Sequence, residues 1–322
     1  MTLCHYIMTK WRFIVCVYLF KLSSMVNKYI FLIVILYLVG CSYTNKYYKP
    51  NKTHHTKSGF TNPFLDNEDK SFKDFLNWAT ERSSSNINDS LIKEIPFQYA
   101  DKKIINNKEG KNQITWIGHS TLLIQYDGIN ILTDPIFSDR CSPVSFLGPK
   151  RYTRPAIQIN ELPNIDYVII SHDHYDHLDL KTVLSIGNNA IWLVPLGLKT
   201  WFEQNGITNV HELDWWENKI FNKIEFISTP SQHWSKRTPF ERKNSLWCSW
   251  AIIFKDYRFW FGGDTGYNPI QFKQIGNKLG PFNSAAIPIG AYEPRWFMKN
   301  YHIDPLEAIK VHLDVQSEFS IP

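Results

Sequence analysis

The sequence has few cysteines, and none of them are paired in a recognisable motif. Its five cysteines, at positions 4, 16, 41, 141 and 248, include no Cys-x-x-Cys pair and form no even-numbered framework. This argues against a thiolate zinc site and against a disulfide scaffold. The chain also lacks a block of consecutive Lys and Arg residues, because its net charge of +5 is spread along its length. A dedicated nucleic-acid-binding arm is therefore not expected, whereas an anionic membrane surface is compatible with this charge.

Long apolar runs are also missing, since no run reaches the roughly 20 residues of a membrane-spanning helix. Two shorter runs, WRFIVCVYLF and YIFLIVILYLVG, lie near the N-terminus, and the second ends directly before Cys41. This resembles a bacterial lipoprotein signal. We therefore expect residues 1–41 to be a signal segment, with Met25 as the true start and Cys41 as the lipidated residue. A single broken membrane anchor is the alternative, and both predict a membrane location.

Aromatic residues are abundant, with 12 Trp, 16 Tyr and 21 Phe. They predict a sizeable core, with some of them lining a pocket or meeting an apolar partner. Residues 42–58 are polar and are expected to be a tether in which His54 and His55 are solvated. Residues 59–112 are expected to form an N-terminal extension that packs on the core. Helical spacing of apolar residues in DKSFKDFLNWATER predicts one helix there.

The segment 113–322 is expected to form the main domain, of the α/β class. Strands are predicted in ITWIG, TLLIQY, INILTD, DYVIIS, AIWLVP, KIEFISTP, LWCSWAIIF, RFWFGGD and SAAIPIG. Helices are predicted at 178–186, 196–205 and 304–314, and Asp127-Gly128 predicts a tight hairpin between two strands. This order of elements fits a sandwich of two sheets covered by helices.

The segment SHDHYDHLD, residues 171–179, places three histidines and three aspartates directly after an apolar run. The side chains of His172, His174, Asp176 and His177 can converge only if the strand gives way to an irregular loop. Imidazole and carboxylate are ligands that suit zinc or iron. Burying several ionisable groups without a cation is costly, so the pattern predicts a metal site. For Asp179, at the start of the next helix, structural and catalytic roles are equally open.

Two further residues stand at the ends of predicted strands, where loops commonly build sites. His233 follows the strand in KIEFISTP, and Asp264 ends the segment RFWFGGD. We expect both to join the histidine-rich loop. Core or surface roles are expected for His211 and His312.

Several longer segments resemble one enzyme family. They are WIGHSTLLIQYDGINILTDPIFSDR, SPVSFLGPKRYTRP, TPSQHWSKRT, FGGDTGYNP and AAIPIGAYEPRWFMKNYHIDPLEA. Together they are similar to the N-acylphosphatidylethanolamine-hydrolysing phospholipase D family, a membrane-associated branch of the metallo-β-lactamase fold superfamily, over residues 60–322. The resemblance implies an αββα sandwich of two mixed β-sheets flanked by helices.

The same resemblance implies a site with two zinc ions. His172, His174 and His233 would hold the first ion, Asp176 and His177 the second, and Asp264 would bridge them. Asp176, Asp264 and His302 are then the expected catalytic residues. The family's last histidine ligand belongs shortly after Pro322, so the second site is expected to lack it and the domain to be C-terminally incomplete.

The substrate side of this site is also implied by the resemblance. His302 matches a histidine that does not bind metal and faces the substrate, in the same loop as Glu293, Arg295 and Trp296. Tyr301 takes a position where the family commonly has glutamine, and Tyr175 lies inside the ligand loop; both are expected to contact substrate. His119 is expected to support the metal ligands or the fold.

The expected reaction is hydrolysis of N-acylphosphatidylethanolamine by a metal-bound hydroxide, giving N-acylethanolamine and phosphatidic acid. The expected partners are the phospholipid and a membrane surface, with no nucleic acid, and a homodimer is left open. Because a fold does not fix a function, two alternatives stay open. One is a metal-dependent hydrolase of a lactone, a thioester or a nucleic-acid phosphodiester, and the other is a catalytically weakened lipid-binding relative.

Overall fold

The first described elements of the chain are two short strands close to its N-terminal end. The computed structural model describes residues 44–66, 70–84, 95–106, 112–144, 146–238 and 243–322. The proposed signal segment, with Met25 and Cys41, lies outside the described residues. Strands β1 (His55–Thr56) and β2 (Gly59–Phe60) pair antiparallel. Within the ranges given above, no helix combines the length and the apolar character needed to cross a bilayer.

One six-stranded sheet contains the strands from the first half of the main domain. In spatial order these are β3 (Gln113–Gly118), β4 (Thr121–Tyr126), β5 (Ile129–Thr133), β6 (Tyr167–Ile169), β7 (Ile191–Pro195) and β8 (Val210–Leu213). Strands β3 to β5 pair antiparallel, and β5 to β8 pair parallel. Strands β4 and β5 are joined through Asp127-Gly128, which confirms the predicted hairpin.

The other six-stranded sheet contains the remaining strands. They are β9 (Asn218–Phe221), β10 (Ile224–Thr229), β11 (Ser249–Ile253), β12 (Arg258–Phe261), β13 (Ser284–Ala286) and β14 (Ser320–Ile321), adjacent in that order. Strands β9 to β12 pair antiparallel, whereas β12 to β14 pair parallel. Both sheets are therefore mixed.

Helices cover the outer face of each sheet. The helices are α1 (Phe72–Ser84), α2 (Lys102–Ile105), α3 (Leu180–Ile186), α4 (Lys199–Gln204), α5 (Pro269–Leu279), α6 (Arg295–Met298) and α7 (Pro305–Asp314). Helices α3 and α4 share an apolar cluster with the first sheet. Helices α5 and α7 share another with the second sheet.

Alternation of side chains explains how the layers form. On β4, Leu122 and Ile124 enter the cluster between the sheets, while Leu123 enters the cluster beneath α3 and α4. On β12, Phe259 and Phe261 face the other sheet, while Trp260 packs towards α5 and α7. This confirms the expected αββα sandwich.

Several elements were not predicted, among them strand β9 and helix α5. Strand β9 is a mostly exposed four-residue strand with little apolar patterning. Helix α5 does carry signals, because Asn268 accepts hydrogen bonds from the amides of Ile270 and Gln271, and Pro269 occupies the first helical turn. The Asn-Pro pair was therefore a usable signal for the start of this helix.

The expectation that His54 and His55 are solvated within a tether is wrong. Both histidines are buried, and their Nε2 atoms lie 2.7 and 2.9 Å from the carboxylate of Asp214. The Lys52 ammonium lies 2.5 Å from the same carboxylate, and the His54 ring stacks on Trp215 with centroids 4.2 Å apart. A buried carboxylate requires such compensation. We refer to residues 46–62 as the strap.

Residues 59–112 contact the main domain where they are described. Phe60 is 2% exposed and belongs to the cluster between the sheets. In helix α1, the Trp78 ring stacks on Phe297 with centroids 5.1 Å apart. Nearby, the Lys70 ammonium donates to the carbonyl of Trp296.

We predict that the Asp214 anchor makes the fold acid-sensitive. Although burial opposes it, hydrogen bonds from His54 and Lys52 hold the pKa of Asp214 well below its ordinary value of 3.8. The stabilisation is therefore complete above that value and is lost as the pH falls. Burial also lowers the pKa of His55 from 6.5, so its contribution is likewise lost on acidification.

Asp214→Asn should cost on the order of 3 kcal/mol at neutral pH, because it removes one partner of a buried ion pair. It should also flatten the loss of stability below about pH 4. Urea unfolding at several pH values measures both effects, with Asp256→Asn at an exposed position as the control. A parallel pH dependence in wild type and Asp214→Asn would contradict the prediction.

We also predict that Gly276→Ala destabilises the fold, although alanine normally favours helices. A Cβ atom at Gly276 would lie 2.2 Å from the carbonyl oxygen of Asp314, so α5 and α7 would have to separate. We expect a loss of about 1–3 kcal/mol in the free energy of unfolding. At Gly290 a Cβ atom meets nothing within 4 Å, so Gly290→Ala should be neutral in the same urea titration.

Candidate metal centre

The histidine- and aspartate-bearing loops meet because of the direction of their strands. Strands β5 and β6 are parallel neighbours, so the segments that follow them leave the first sheet at one edge. Strands β10 and β12 are both antiparallel to β11, so their following segments also leave at a shared edge. Hydrogen bonds from the Cys248 amide to the carbonyl of Ser171 and from the Trp250 indole to the carbonyl of Ile170 join the two edges.

The loop after β6 makes a tight turn that places its side chains together. The carbonyl of His174 accepts hydrogen bonds from the amides of His177 and Leu178, which breaks the alternation of the strand. Asp179 then caps α3, because its carboxylate accepts from the amide of Lys181 and from the hydroxyls of Ser138 and Thr182. The structure thus gives Asp179 a structural role.

Three imidazoles converge at one side of the cluster. The Nδ1 atom of His174 lies 2.9 Å from Nε2 of His172 and 3.2 Å from Nε2 of His233. Burial lowers the pKa of His174 to about 4 and that of His172 and His233 well below 6.5, and the neighbouring histidines lower the latter two further. The rings are therefore neutral near pH 7, the state in which imidazole binds a metal ion.

Carboxylates gather around His177 at the other side. Its Nε2 atom lies 3.3 Å from Oδ2 of Asp264 and 3.8 Å from Oδ2 of Asp176, yet it is buried and makes no hydrogen bond. Burial disfavours its charge, but the surrounding carboxylates outweigh burial and raise the pKa of His177 well above 6.5. Burial alone would raise the pKa of Asp264. The charge and the hydrogen bonding of His177 outweigh burial and hold the pKa of that carboxyl well below its usual range.

In three of the four rings, the nitrogen that faces away from the cluster is tied to a fixed group. Nδ1 of His172 lies 2.9 Å from the Ser171 hydroxyl, Nδ1 of His177 lies 2.7 Å from the Asp134 carboxylate, and Nδ1 of His233 lies 3.0 Å from the carbonyl of Tyr301. Such contacts orient rings whose other nitrogen binds a metal ion.

Asp134 is a member of the cluster that the sequence reasoning missed. It is fully buried, accepts from the amide and hydroxyl of Ser171, and contacts His177. Its backbone has φ of 34°, a value uncommon outside glycine and often found at functional sites. Its position directly after β5, at the same sheet edge as the His-rich loop, was the available signal.

His119 lies at the rim of the cluster. Its Nε2 atom is 3.2 Å from Oδ2 of Asp176, its side chain is half-exposed, and its φ is 51°. The indole of Trp116 donates to its carbonyl over 2.7 Å. These contacts fit the expected supporting role, with Asp176 as the group that His119 orients.

The residues expected on the substrate side lie in different environments. His302 is partly exposed, with Nδ1 3.8 Å from Oδ2 of Asp264. The Tyr175 hydroxyl donates to the carbonyl of Arg237 over 2.7 Å, and the Arg237 guanidinium stacks on the Tyr175 ring. Tyr301 is 6% exposed, so its side chain belongs to the interior, and its carbonyl holds His233.

Close backbone approach keeps Asp264 and its neighbours in place. At Gly263, φ is 58° and a Cβ atom would lie 2.6 Å from the Cβ of Ser171. At Gly266, a Cβ atom would lie 2.2 Å from the carbonyl oxygen of Asn300. Only glycine fits at either position without displacement of the loop.

Within the described part of the chain, five groups of residues bring metal-type ligand atoms close together. Four belong to this cluster: His172-His174-His233, His119-Asp176-His177, Asp134-His172-His177 and His233-Asp264-His302. The fifth, His54-His55-Asp214, is the strap anchor. Its carboxylate already accepts from Lys52, both histidines and the Trp215 amide, so we read it as an ion-pair anchor.

Comparisons with known proteins found a matching family model and similar proteins. Residues 129–322 match the family model described as Beta-lactamase superfamily domain. The protein N-acyl-phosphatidylethanolamine-hydrolyzing phospholipase D 1 from Caenorhabditis elegans is 41% identical over 276 residues, covering 77% of this chain and 78% of that protein. The Saccharomyces cerevisiae protein N-acyl-phosphatidylethanolamine-hydrolyzing phospholipase D, mitochondrial, is 41% identical over 211 residues, covering 63% of this chain and 45% of that protein.

A solved structure also resembles the chain. It is described as a possible metal-dependent hydrolase from Veillonella parvula, and it superposes with a TM-score of 0.54 over 65% of this chain and 84% of that chain, at 17% identity. This likeness supports the fold.

We predict that Asp134→Asn weakens metal binding at His177. Asparagine keeps the shape but offers no full charge to His177 Nδ1, so the ring loses its fixed orientation. Changes of this kind cost about 10- to 100-fold in metal affinity. Zinc titration against a competing chelator measures the effect, with Asp127→Asn at the exposed hairpin as the control. Equal zinc affinity in both variants would show that Asp134 does not support metal binding at His177.

Proposed function

We propose that this chain, which belongs to the family of N-acyl-phosphatidylethanolamine-hydrolysing phospholipases D within the beta-lactamase superfamily, is a zinc-dependent phosphodiesterase. Its substrate is an N-acylated phosphatidylethanolamine. Water adds to phosphorus, the bond from phosphorus to the ethanolamine oxygen breaks, and that oxygen takes up a proton. The products are N-acylethanolamine and phosphatidic acid. The observation that carries the proposal is the convergence of the His/Asp cluster in a chain with 41% identity to a relative of this specificity.

Two zinc ions are the proposed cofactor, and the donor set fits them. His172, His174 and His233 would hold one ion. Asp176 and His177 would hold the other, and Asp264 would lie between them. The buried Nε2 atom of His177, which lacks a hydrogen bond and faces two carboxylates, supports this assignment. When bound, such ions lower the pKa of water and offset charge on phosphoryl oxygens.

The remaining residues position the substrate. His302 lies beside Asp264 and is exposed enough to contact the substrate phosphate. Arg295 holds this loop, because its guanidinium donates to the carbonyl of His302 and to the carboxylate of Glu307. Tyr175, stacked on Arg237, would line the pocket next to the ligand loop.

We propose a membrane surface as the place of action. Phe146 and Leu147 are 79% and 66% exposed on a loop that also carries Lys150 and Tyr152. Exposed apolar and cationic side chains together favour an anionic lipid surface. Lipidation of Cys41 would hold the chain there, and the phospholipid substrate is found in that surface. A homodimer remains compatible with this arrangement.

Asp264→Asn in the full chain should reduce N-acylethanolamine release at least about 100-fold. The reason is that the carboxylate proposed to serve both zinc ions loses its charge. Release from N-acylphosphatidylethanolamine in mixed micelles, with added zinc, measures this. Asp256→Asn, an identical change at an exposed turn, should keep full activity. Retained activity in Asp264→Asn would refute the assignment.

Two outcomes would favour the alternatives. Hydrolysis of a lactone, a thioester or a nucleic-acid phosphodiester in preference to the phospholipid would replace the substrate and keep the metal centre. Less than one zinc ion per chain, together with intact binding to phospholipid vesicles, would indicate a lipid-binding protein.

A further inference from the structure

The strap ends against the backbone of the loop that carries His233. The side-chain amide of Asn62 donates to the carbonyl oxygen of His233 over 2.9 Å, and both groups are buried. Asn62 is therefore hydrogen-bonded to the main chain of a proposed zinc ligand, although it lies 171 positions earlier in the sequence.

The strap is fixed at two places that precede Asn62 in the chain. Its first part is anchored by the ion pairs of Lys52, His54 and His55 with Asp214. Further along, the Phe60 amide donates to the carbonyl of Lys243 over 2.9 Å. Gly59, with φ of 147°, permits this approach, since a Cβ atom there would lie 2.3 Å from the same carbonyl oxygen.

Asp173 also holds the segment that follows His233. The carboxylate of Asp173 accepts from the Lys236 amide over 2.8 Å and from the Ser245 hydroxyl over 3.0 Å. The Lys243 amide donates to the carbonyl of Ser235, so the residue that binds the strap also binds the loop. The loop thus lies between the strap and the histidine-rich segment.

We infer that Asn62 is a positioning residue for His233, so that the strap sets the geometry of the three-histidine group. The inference rests on the proposed role of His233 as a metal ligand. The carbonyl of Tyr301 fixes the outward nitrogen of the ring, and Asn62 fixes the peptide to which the ring is attached. Without Asn62, the buried His233 carbonyl has lost a donor, and the peptide can rotate to find another.

The effect should appear in metal affinity and in turnover. Asn62→Ala should weaken zinc binding about 10-fold or more, as changes behind a ligand do. It should lower kcat and leave KM nearly unchanged, because Asn62 does not face the substrate. Zinc affinity is measured by chelator competition on the full chain in detergent. Asn51→Ala, the same change at an exposed strap position, should match wild type.

A second variant separates the hydrogen bond from the packing of the side chain. Asn62→Asp keeps the shape but removes the amide donor, so it should lose zinc affinity as Asn62→Ala does. Wild-type affinity in Asn62→Asp would overturn the inference. A second result would also overturn it. If Asn62→Ala lowers the free energy of unfolding of the metal-free chain by as much as it lowers the free energy of zinc binding, Asn62 is only structural.

The zinc titration uses no substrate, so failure of the inference and failure of the proposed function are distinguishable. If wild type fails to hydrolyse N-acylphosphatidylethanolamine while Asn62→Ala still weakens zinc binding, the positioning role stands and the proposed reaction is wrong. If wild type is active and both Asn62 variants bind zinc normally, the reaction stands and the positioning role is wrong.

Discussion

Three buried imidazoles of the cluster each present two nitrogens, and the hydrogen bond made by the outer nitrogen determines where the inner one points. Ser171, Asp134 and the carbonyl of Tyr301 serve the outer nitrogens of His172, His177 and His233. These partners come from different segments, namely the loop itself, the end of β5 and the loop before α7. The cluster therefore forms only when all of these segments are correctly placed, which requires the complete sandwich to fold.

The sheet topology explains how this register is reached. Parallel pairing of β5 with β6, and the shared direction of β10 and β12, bring four chain segments to one edge of the sandwich. Close backbone contacts at Gly263 and Gly266 then fix the position of the segment that follows β12. Apolar packing between the sheets stabilises the edge, so the polar cluster itself does not have to provide the folding energy.

The sequence predicted most of this, and its failures have physical reasons. The αββα order, the Asp127-Gly128 hairpin and the His-rich loop after a buried strand followed from local patterns. Asp134 was missed because a lone carboxylate at a strand end has no local pattern that marks its partner 43 positions away. The burial of His54 and His55 was missed for the same reason, because their compensating carboxylate, Asp214, is 160 and 159 positions distant.

The charges of the cluster give it a preference for cations before any substrate arrives. Three of its histidines are held neutral by burial, while Asp176 and Asp264 are held ionised. In this state His177 is protonated, and its positive charge faces the carboxylates of Asp176 and Asp264. A divalent ion that binds its Nε2 atom must displace this proton, so metal binding there is coupled to proton release. A phosphodiester is an anion, and two ionised carboxylates alone would repel it. Cations held by these residues would offset that repulsion, so the same carboxylates that repel an anion on their own would no longer oppose its approach to Asp264 and His302.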